Sequence, residues 1–175
     1  HAITNYGSLL QALATQTVVE NMGHCCEIID YIRDNEHYSQ HEKTILKRKP
    51  GWNNNLIKRT LYLLLRQPES VLAGKRFEKA QRKYLKLTER YHTLEQLSNN
   101  IPSADVYMTG SDQTWNPRYY ADDHSFLLNF APDDKPKVAY AASYGTSEFY
   151  PQYTEVYSKY LKRYDAISTR ESTGV

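Results

Sequence analysis

The segment from Gly110 to Pro117 carries the side chains best suited to chemistry in this sequence. It places a carboxylate, two amides and an indole within a few residues of a glycine: Asp112, Gln113, Asn116 and Trp115. A sugar can pack its CH face on an aromatic ring while its hydroxyls bond to carboxylate and amide groups. The segment therefore predicts a sugar-binding loop. An equally consistent alternative makes Trp115 a core residue and Asp112 a turn former.

Three other segments share this content of glycine, hydroxyl, amide and charged side chains; they are residues 4–8, 143–146 and 170–172. In the first, Gly7 and Ser8 stand at a predicted helix N-terminus, which favours an anion or a sugar hydroxyl. A plain helix cap by Asn5 or Ser8 is the simpler alternative. In the last, Arg170 could hold a carboxylate or phosphate with two hydrogen bonds, or form a surface ion pair with Glu171.

Several other kinds of site are not supported by the sequence. There is no G-x-G-x-x-G fingerprint for a dinucleotide, so Asp30 is assigned a turn or cap role in preference to binding a ribose. The six histidines lack the spacing of metal ligands. We therefore expect no metal site and no bound cofactor. Motifs of Ser hydrolases, Walker-type NTPases and zincins are also missing from the sequence.

The elements that must position these segments alternate between helix and strand. Apolar spacing predicts helices over residues 8–22, 56–65, 75–91 and 153–164. Short apolar runs predict strands over residues 25–31, 105–109, 137–142 and 166–169. This order predicts an α/β fold with one parallel sheet. Because ligands bind beyond the carboxyl ends of parallel strands, the four polar segments are expected to meet at one edge of that sheet.

Composition bounds the class of protein. The 175 residues, 40% of them hydrophobic, suit one folded domain and argue against a disordered chain. The apolar runs are too short to span a bilayer, so we predict a soluble, cytoplasmic protein. Between Lys43 and Arg90 the chain has 14 Lys/Arg and 3 Asp/Glu. This basic middle is interpreted as the solvated face of helices; attraction to an anionic membrane surface is the alternative, and nucleic-acid binding is not expected.

Several motifs occur in the order found in the polysaccharide pyruvyl transferases, which this chain resembles along nearly its whole length. An early Asn-Tyr-Gly-x-x-Leu-Gln element is matched by residues 5–11, with His1 shortly before it. A Gly-His-x-x-x-Ile-Ile-Asp-Tyr strand is matched by residues 23–31. Gly-Ser-Asp-Gln-x-Trp-Asn-Pro is present in full from Gly110 to Pro117. Ala-Tyr-Ala-Ala-Ser-x-Gly matches residues 139–145, and Ile-Ser-x-Arg-Glu matches residues 167–171.

The resemblance implies a fold and a reaction. It implies a Rossmann-like three-layer domain over residues 1–175, corresponding to the first half of an enzyme that is similar to two-domain glycosyltransferases of the GT-B type. On this basis the first strand is largely missing and the second domain is absent. The implied reaction transfers a pyruvyl group from phosphoenolpyruvate to a sugar or lipid-linked oligosaccharide, forming a cyclic ketal. The family's general acid, a histidine of the second domain, would not belong to this chain, which we expect to be inactive alone.

The segments and the resemblance together give the candidate site. Arg170 matches a family arginine implicated in donor handling, and Asp112 is the weaker candidate for a base or acceptor ligand. The predicted substrate-binding residues are His1, Asn5, Tyr6, Gly7, Ser8, Gln11, Gly110, Ser111, Gln113, Trp115, Asn116, Ser143, Tyr144, Gly145 and Glu171. Two alternatives stay open: a GT-B-type glycosyltransferase that uses a sugar nucleotide, and a non-catalytic carbohydrate-binding module. Peripheral association with the inner face of the membrane also stays open.

Overall fold

Helix α1 (Tyr6–Asn21) is the first element of the computed structural model, which describes residues 4–120, 123–146 and 149–172. Asn5 caps this helix, and Gly23 follows it with φ 88°, the left-handed conformation expected of a residue just past a helix end. The chain forms two compact units, residues 1–93 and residues 94–175. No helix in the described ranges is both long and apolar enough to cross a membrane.

The first unit contains one long helix and a pair of parallel strands. After α1 come β1 (Ile28–Tyr31), a short 3-10 helix (Tyr38–Gln40), α2 (His41–Lys47), α3 (Pro50–Asn53), α4 (Leu56–Tyr84) and β2 (Leu87–Tyr91). Strands β1 and β2 pair in parallel. Leu9, Phe77 and Leu85 form the buried centre of an apolar cluster, so α1 and α4 meet at this core.

The prediction of a helix over residues 75–91 is wrong at its end. Helix α4 stops at Tyr84, and residues 87–91 form strand β2. Leu87 and Tyr91 extend the helical apolar spacing, but residues four apart also share one face of a strand, so this spacing alone cannot separate the two. The two helices predicted over residues 56–65 and 75–91 are therefore one helix of 29 residues followed by a strand.

Asp30 has neither a turn nor a cap role, which corrects the sequence-based assignment. Its side chain is buried, and Oδ2 accepts a hydrogen bond from Arg90 Nε at 2.9 Å. Arg90 also pairs with Glu78 at 2.7 Å. Asp30 and Arg90 are partners in the parallel register of β1 and β2, so their side chains share one face of the sheet. Burial would raise the pKa of Glu78, but hydrogen bonds and charge from Arg90 outweigh it and lower that pKa.

Gly74 lies inside α4 because the ring of Tyr38 occupies the space next to it. A Cβ atom at Gly74 would lie 2.1 Å from Tyr38 Cγ. We expect Gly74→Ala to lower the free energy of unfolding by about 1–3 kcal/mol, although alanine is the better helix former. Urea denaturation measures the change. Gly51→Ala is the matched control, since a Cβ at Gly51 has no neighbour within 4 Å; equal stability of the two variants would contradict the prediction.

The second unit is built on three parallel strands. Its elements are α5 (Leu94–Asn99), β3 (Tyr107–Thr109), α6 (Pro117–Tyr120), a short 3-10 helix (Ser125–Leu127), β4 (Lys137–Ala142), a further short 3-10 helix (Pro151–Tyr153), α7 (Thr154–Leu161) and β5 (Ala166–Thr169). The strand order is β3-β4-β5, and both pairings are parallel. The predicted bounds of β4 and β5 are confirmed. The α/β class and the parallel pairing are also confirmed, but the described strands form two small sheets and not one.

Candidate functional site

Strand β4 ends in a bulge at the edge where the polar segments of the second unit lie. Its pairing with β5 shifts between Ala139 and Ala142. Ala141 has φ 51°, a left-handed conformation that is uncommon for a residue with a Cβ. Ser168 Oγ accepts a hydrogen bond from the backbone N–H of Ala141 at 2.9 Å. Bulges and strained residues of this kind concentrate next to functional sites, where they redirect the chain.

The Gly110–Pro117 loop is joined to the end of β4 by backbone hydrogen bonds. The N–H of Ser143 donates to the carbonyl of Asp112 at 2.9 Å, and the N–H of Trp115 donates to the carbonyl of Ser143 at 3.1 Å. Asp112 has φ 149°, and its Oδ1 accepts a hydrogen bond from the N–H of Gln113 at 2.8 Å. Asp112 forms an isolated parallel bridge with Ala142, so its backbone extends the sheet beside the end of β4. The turn of the loop lies at residues 114–115, so the alternative that made Asp112 a turn former is wrong.

Ser143 connects the end of β4 to the end of β5. Its hydroxyl is fully buried; it donates to a Glu171 carboxylate oxygen and accepts from Arg170 Nη2 at 2.9 Å and from the N–H of Gly145 at 3.0 Å. A hydroxyl has one donor and two acceptor sites, so its capacity is filled. The Arg170 side chain keeps 48% of its surface exposed. The buried serine thus orients a guanidinium group that remains accessible.

Arg170 and Glu171 form only a long ion pair. Arg170 Nη2 lies 3.7 Å from Glu171 Oε1, farther than its 2.9 Å contact with Ser143. Exposed ion pairs of such length contribute little to stability. The pair therefore leaves the guanidinium group free to form stronger contacts with an anion.

Trp115 is a core residue in this structure. Its side chain is fully buried and packs with Leu127, Ala142 and Tyr157. The indole Nε1–H donates to the carbonyl of Phe126 at 3.0 Å. No ring surface is exposed for a sugar to pack on, so the core interpretation of Trp115 is the one that the geometry supports. The indole positions the loop, and the polar side chains beside it are the groups that can meet a ligand.

Gly145 lies in close contact with the side-chain amides of Gln113 and Asn116. It has φ 63°, and a Cβ there would lie 2.7 Å from both Asn116 Nδ2 and Gln113 Oε1. Those two side chains already bond to each other, since Asn116 Nδ2 donates to Gln113 Oε1 at 3.1 Å. The Gln113 and Asn116 amides predicted to bind a substrate are thus packed against the turn that begins at Ser143.

We expect Gly145→Ala to lower the free energy of unfolding by about 1–3 kcal/mol, because strain at positive φ adds to a steric clash. Gly23→Ala is the matched control, since Gly23 also has positive φ but its Cβ would meet nothing within 4 Å. Thermal or urea denaturation of both variants separates the cost of backbone strain from the cost of the steric clash. A Gly145 variant no less stable than the Gly23 variant would show that the close approach to Gln113 and Asn116 is unimportant.

Comparison with known proteins identifies the family of this chain. The model of the family described as polysaccharide pyruvyl transferase matches residues 5–175, essentially the whole chain. The chain belongs to this family. No curated protein and no solved structure shows a significant match. The resemblance stated from the motifs is therefore confirmed at the level of the family, and the loop, the bulge and Arg170 all lie inside the matched region.

The Asn-Tyr-Gly element of this pyruvyl transferase chain lies in the first unit. Asn5 Oδ1 accepts a hydrogen bond from the N–H of Gly7 at 2.8 Å, so the helix-cap interpretation of Asn5 is confirmed. Tyr6 is largely exposed and meets Phe77 edge to face at 5.3 Å. Ser8 and Gln11 are partly buried on the first turns of α1. His1 lies outside the described residues, and the meeting of this element with the loops of the second unit stays a prediction.

Tyr144 follows Ser143, whose hydroxyl bonds to Arg170, Glu171 and Gly145. Its ring packs on Trp115 with centroids 5.5 Å apart. Burial, and secondly the negative charge of Glu171, raise the pKa of the Tyr144 phenol. The phenol therefore stays protonated at neutral pH and can act as a hydrogen-bond donor.

Two residues of the site were not singled out in the sequence. Ser168 holds the bulge of β4, and its only signal was its place inside the Ile-Ser-x-Arg-Glu motif. Arg118 follows the Gly110–Pro117 loop directly, is exposed, and donates from Nε to the hydroxyl of Tyr150 at 2.6 Å. A second accessible guanidinium group therefore borders the loop. Within the described ranges no three His, Cys, Asp or Glu side chains cluster in a way that could hold a metal ion.

Proposed function

We propose that this chain takes part in the transfer of a pyruvyl group from phosphoenolpyruvate to a sugar of a cell-surface polysaccharide or its precursor. The family match over residues 5–175 is the observation that carries this proposal. The acceptor is a sugar or a lipid-linked oligosaccharide, and the product is a pyruvate ketal. Phosphoenolpyruvate supplies the free energy of the reaction itself, so the proposal needs no resident cofactor.

The reaction requires a proton at carbon and two additions at one carbon atom. Protonation of the enol methylene makes a methyl group and leaves the central carbon electrophilic. One sugar hydroxyl adds there, the bond to the phosphate oxygen breaks, and the second hydroxyl closes the ring. The two hydroxyls lose two protons, which balance the one taken up by the methylene and the one carried away by phosphate. A site for this reaction needs cations on the donor and a base near the acceptor.

Arg170 is the proposed cation for the donor. It follows directly after β5, its side chain is half exposed, and the Ser143 hydroxyl fixes one of its nitrogens. A guanidinium group held in this way can still offer its other N–H groups to a carboxylate or phosphate with little loss of side-chain freedom. Asp112 is the proposed base or acceptor ligand, since its bridge to Ala142 holds its backbone beside the end of β4, next to the Ser143 network.

The polar loops of the second unit are proposed to form the acceptor side of the cleft. Gly110, Ser111, Gln113 and Tyr144 supply backbone and side-chain groups of the kind that bind sugar hydroxyls, whereas Asn116 is buried and its amide is already bonded to Gln113 and Arg118. The general acid and the rest of the donor site are proposed to come from a second domain, as the family implies.

Phosphate release tests the proposed function. The full-length enzyme is mixed with phosphoenolpyruvate and a panel of nitrophenyl and lipid-linked sugars, and free phosphate is followed over time. Release that depends on one acceptor, with a ketal in the product, supports the proposal. A parallel reaction with sugar nucleotides in place of phosphoenolpyruvate is the control. Turnover of a sugar nucleotide without release of phosphate from phosphoenolpyruvate would replace the proposal with glycosyl transfer.

We expect Arg170→Ala to lower kcat/KM for phosphoenolpyruvate by about ten- to a hundredfold, because it removes a charge-assisted contact that contributes roughly 1.5–3 kcal/mol. Arg170→Lys should recover part of the loss, since it keeps the charge without the planar geometry. Arg82→Ala is the matched control, because Arg82 is a similarly exposed arginine with a carboxylate partner. If Arg170→Ala turned over at the normal rate but had a much lower melting temperature, Arg170 would have a structural role instead.

A further inference from the structure

Helix α4 carries an exposed apolar stripe along its first five turns. Ile57, Leu61, Leu64, Leu65 and Leu72 expose 81%, 52%, 69%, 68% and 51% of their surface. Their spacing of i, i+4, i+7, i+8 and i+15 places all five on one face of the helix. We call these five residues the α4 stripe. A contiguous exposed patch of large aliphatic side chains in a folded protein usually marks an interaction surface.

The α4 stripe does not face the core of its own unit, because the other side of the helix is already packed. Tyr62 and Ser70 donate hydrogen bonds to Glu42 of α2, and Gln67 donates to the carbonyl of Ser39 at 2.7 Å. Gly74 approaches Tyr38 from the same side. These contacts fix the rotation of α4 about its axis, so the outward direction of the stripe follows from the packing and not from a loose helix.

The charge around the α4 stripe is strongly positive. From Lys47 to Arg76 the chain has eight Lys/Arg and one Asp/Glu, which is Glu69. Lys58 and Arg76 are exposed, and their positions on the helix border the stripe. An aliphatic face bordered by Lys and Arg is the pattern of helices that lie in the surface of an anionic bilayer. The basic side chains in the middle of the sequence therefore lie beside exposed apolar side chains on α4. The interpretation of this region as a solvated helix face explains the charges but not the exposed leucines.

Trp52 adds an aromatic side chain beside the start of α4. It lies in the short helix α3, has 44% of its surface exposed, and meets the ring of Tyr62 edge to face at 6.1 Å. Tryptophan is favoured at the boundary between lipid and water because its ring is apolar and its N–H is polar.

We propose that the α4 stripe and its basic border bind the surface of an anionic lipid bilayer. The stripe inserts between the headgroups, while the lysines and arginines meet lipid phosphates. Charge selects this occupant over a second copy of the chain, since pairing two stripes would bring two basic borders together. The proposal does not depend on the pyruvyl transfer reaction, because it rests on the surface of α4 alone.

Vesicle binding tests the proposal with the intact chain and without any substrate. The probes are vesicles of phosphatidylcholine alone and of phosphatidylcholine with phosphatidylglycerol, separated from free protein by flotation. We expect the chain to float with the anionic vesicles, to bind the neutral ones at least about tenfold more weakly, and to be released as salt is raised. Emission of Trp52 should shift to shorter wavelength on binding, whereas the buried Trp115 should contribute no change.

Two variants decide whether the α4 stripe is responsible. Leu61→Ser with Leu65→Ser should weaken binding to anionic vesicles by roughly tenfold or more, since each leucine loses much of its burial in lipid. Val18→Ser with Met22→Ser is the matched control, because these are exposed apolar residues in α1 and at its C-cap with no such basic border. The control variant should bind as the unaltered chain does, and circular dichroism should show equal helix content in both variants.

Three outcomes would overturn the proposal. They are absence of binding to anionic vesicles, equal binding to neutral vesicles, and equal loss of binding in the stripe and control variants. Sedimentation provides a fourth: self-association without lipid that the Leu61 and Leu65 substitutions abolish would assign the α4 stripe to a dimer contact.

Discussion

Replacing Asp30 with alanine is expected to lower the free energy of unfolding by about 3–5 kcal/mol, because it leaves a buried cation without one of its partners. Asp30 is 1% exposed, and its carboxylate accepts from Arg90 at 2.9 Å. The Arg90 side chain is itself 84% buried, and its Nη2 has no hydrogen-bond partner among the described residues. Glu78 would remain as the other carboxylate on Arg90, but it cannot replace the contact across the β1–β2 pair.

Urea denaturation at neutral pH measures this cost, and two further variants separate charge from shape. Asp30→Asn keeps the size and one acceptor oxygen, so it should cost less than Asp30→Ala. Asp30→Leu combined with Arg90→Met and Glu78→Gln removes all three charges of the cluster, and it should be less destabilising than the single alanine variant. If Asp30→Ala unfolded at the same urea concentration as the unaltered chain, the Asp30–Arg90 pair would not stabilise the first unit.

Trp115→Ala is expected to destabilise the chain by about 3–5 kcal/mol, since it opens a large cavity in the core of the second unit. The indole is fully buried against Tyr144 and Tyr164, whose ring centroids lie 5.5 and 5.8 Å away. The Phe126 carbonyl would keep one partner, because Thr109 Oγ1 also donates to it at 2.9 Å. The cost therefore comes mainly from lost packing and not from an unsatisfied acceptor.

The same substitution should also reduce turnover in the full-length enzyme, because Trp115 holds the loop that carries Asp112. Trp115→Phe is the control: it keeps most of the packed volume, so it should cost about 1 kcal/mol and spare most of the activity. Denaturation and steady-state kinetics with the acceptor are both needed. An alanine variant of unchanged stability whose KM for the acceptor rises would mean that the indole binds the sugar.

The sequence alone predicted much of the second unit. The bounds of β4 and β5 agree with the structure at every residue, because each is a short apolar run between polar turns. The loop after β3 and the turns after β4 and β5 do lie at one edge, since the carboxyl ends of parallel strands share an edge. The family also followed from ordered motifs, which depend on residue identity and spacing and need no tertiary structure.

Tertiary structure alone decided the roles of individual side chains. Asp30 looked like a turn residue because its partner, Arg90, lies 60 positions away on a strand whose apolar spacing also fits a helix. From the sequence, the indole of Trp115 was equally consistent with a sugar-binding ring and with a buried core residue. Only the packing around it in the structure distinguishes the two. The bulge at Ala141 and the contacts of the Ser143 hydroxyl arise from strand pairing, which no local pattern encodes. Motif and spacing thus predicted which residues belong to the candidate site. Long-range contacts decided which of them are buried supports, such as Trp115, and which keep an exposed side chain, such as Arg170.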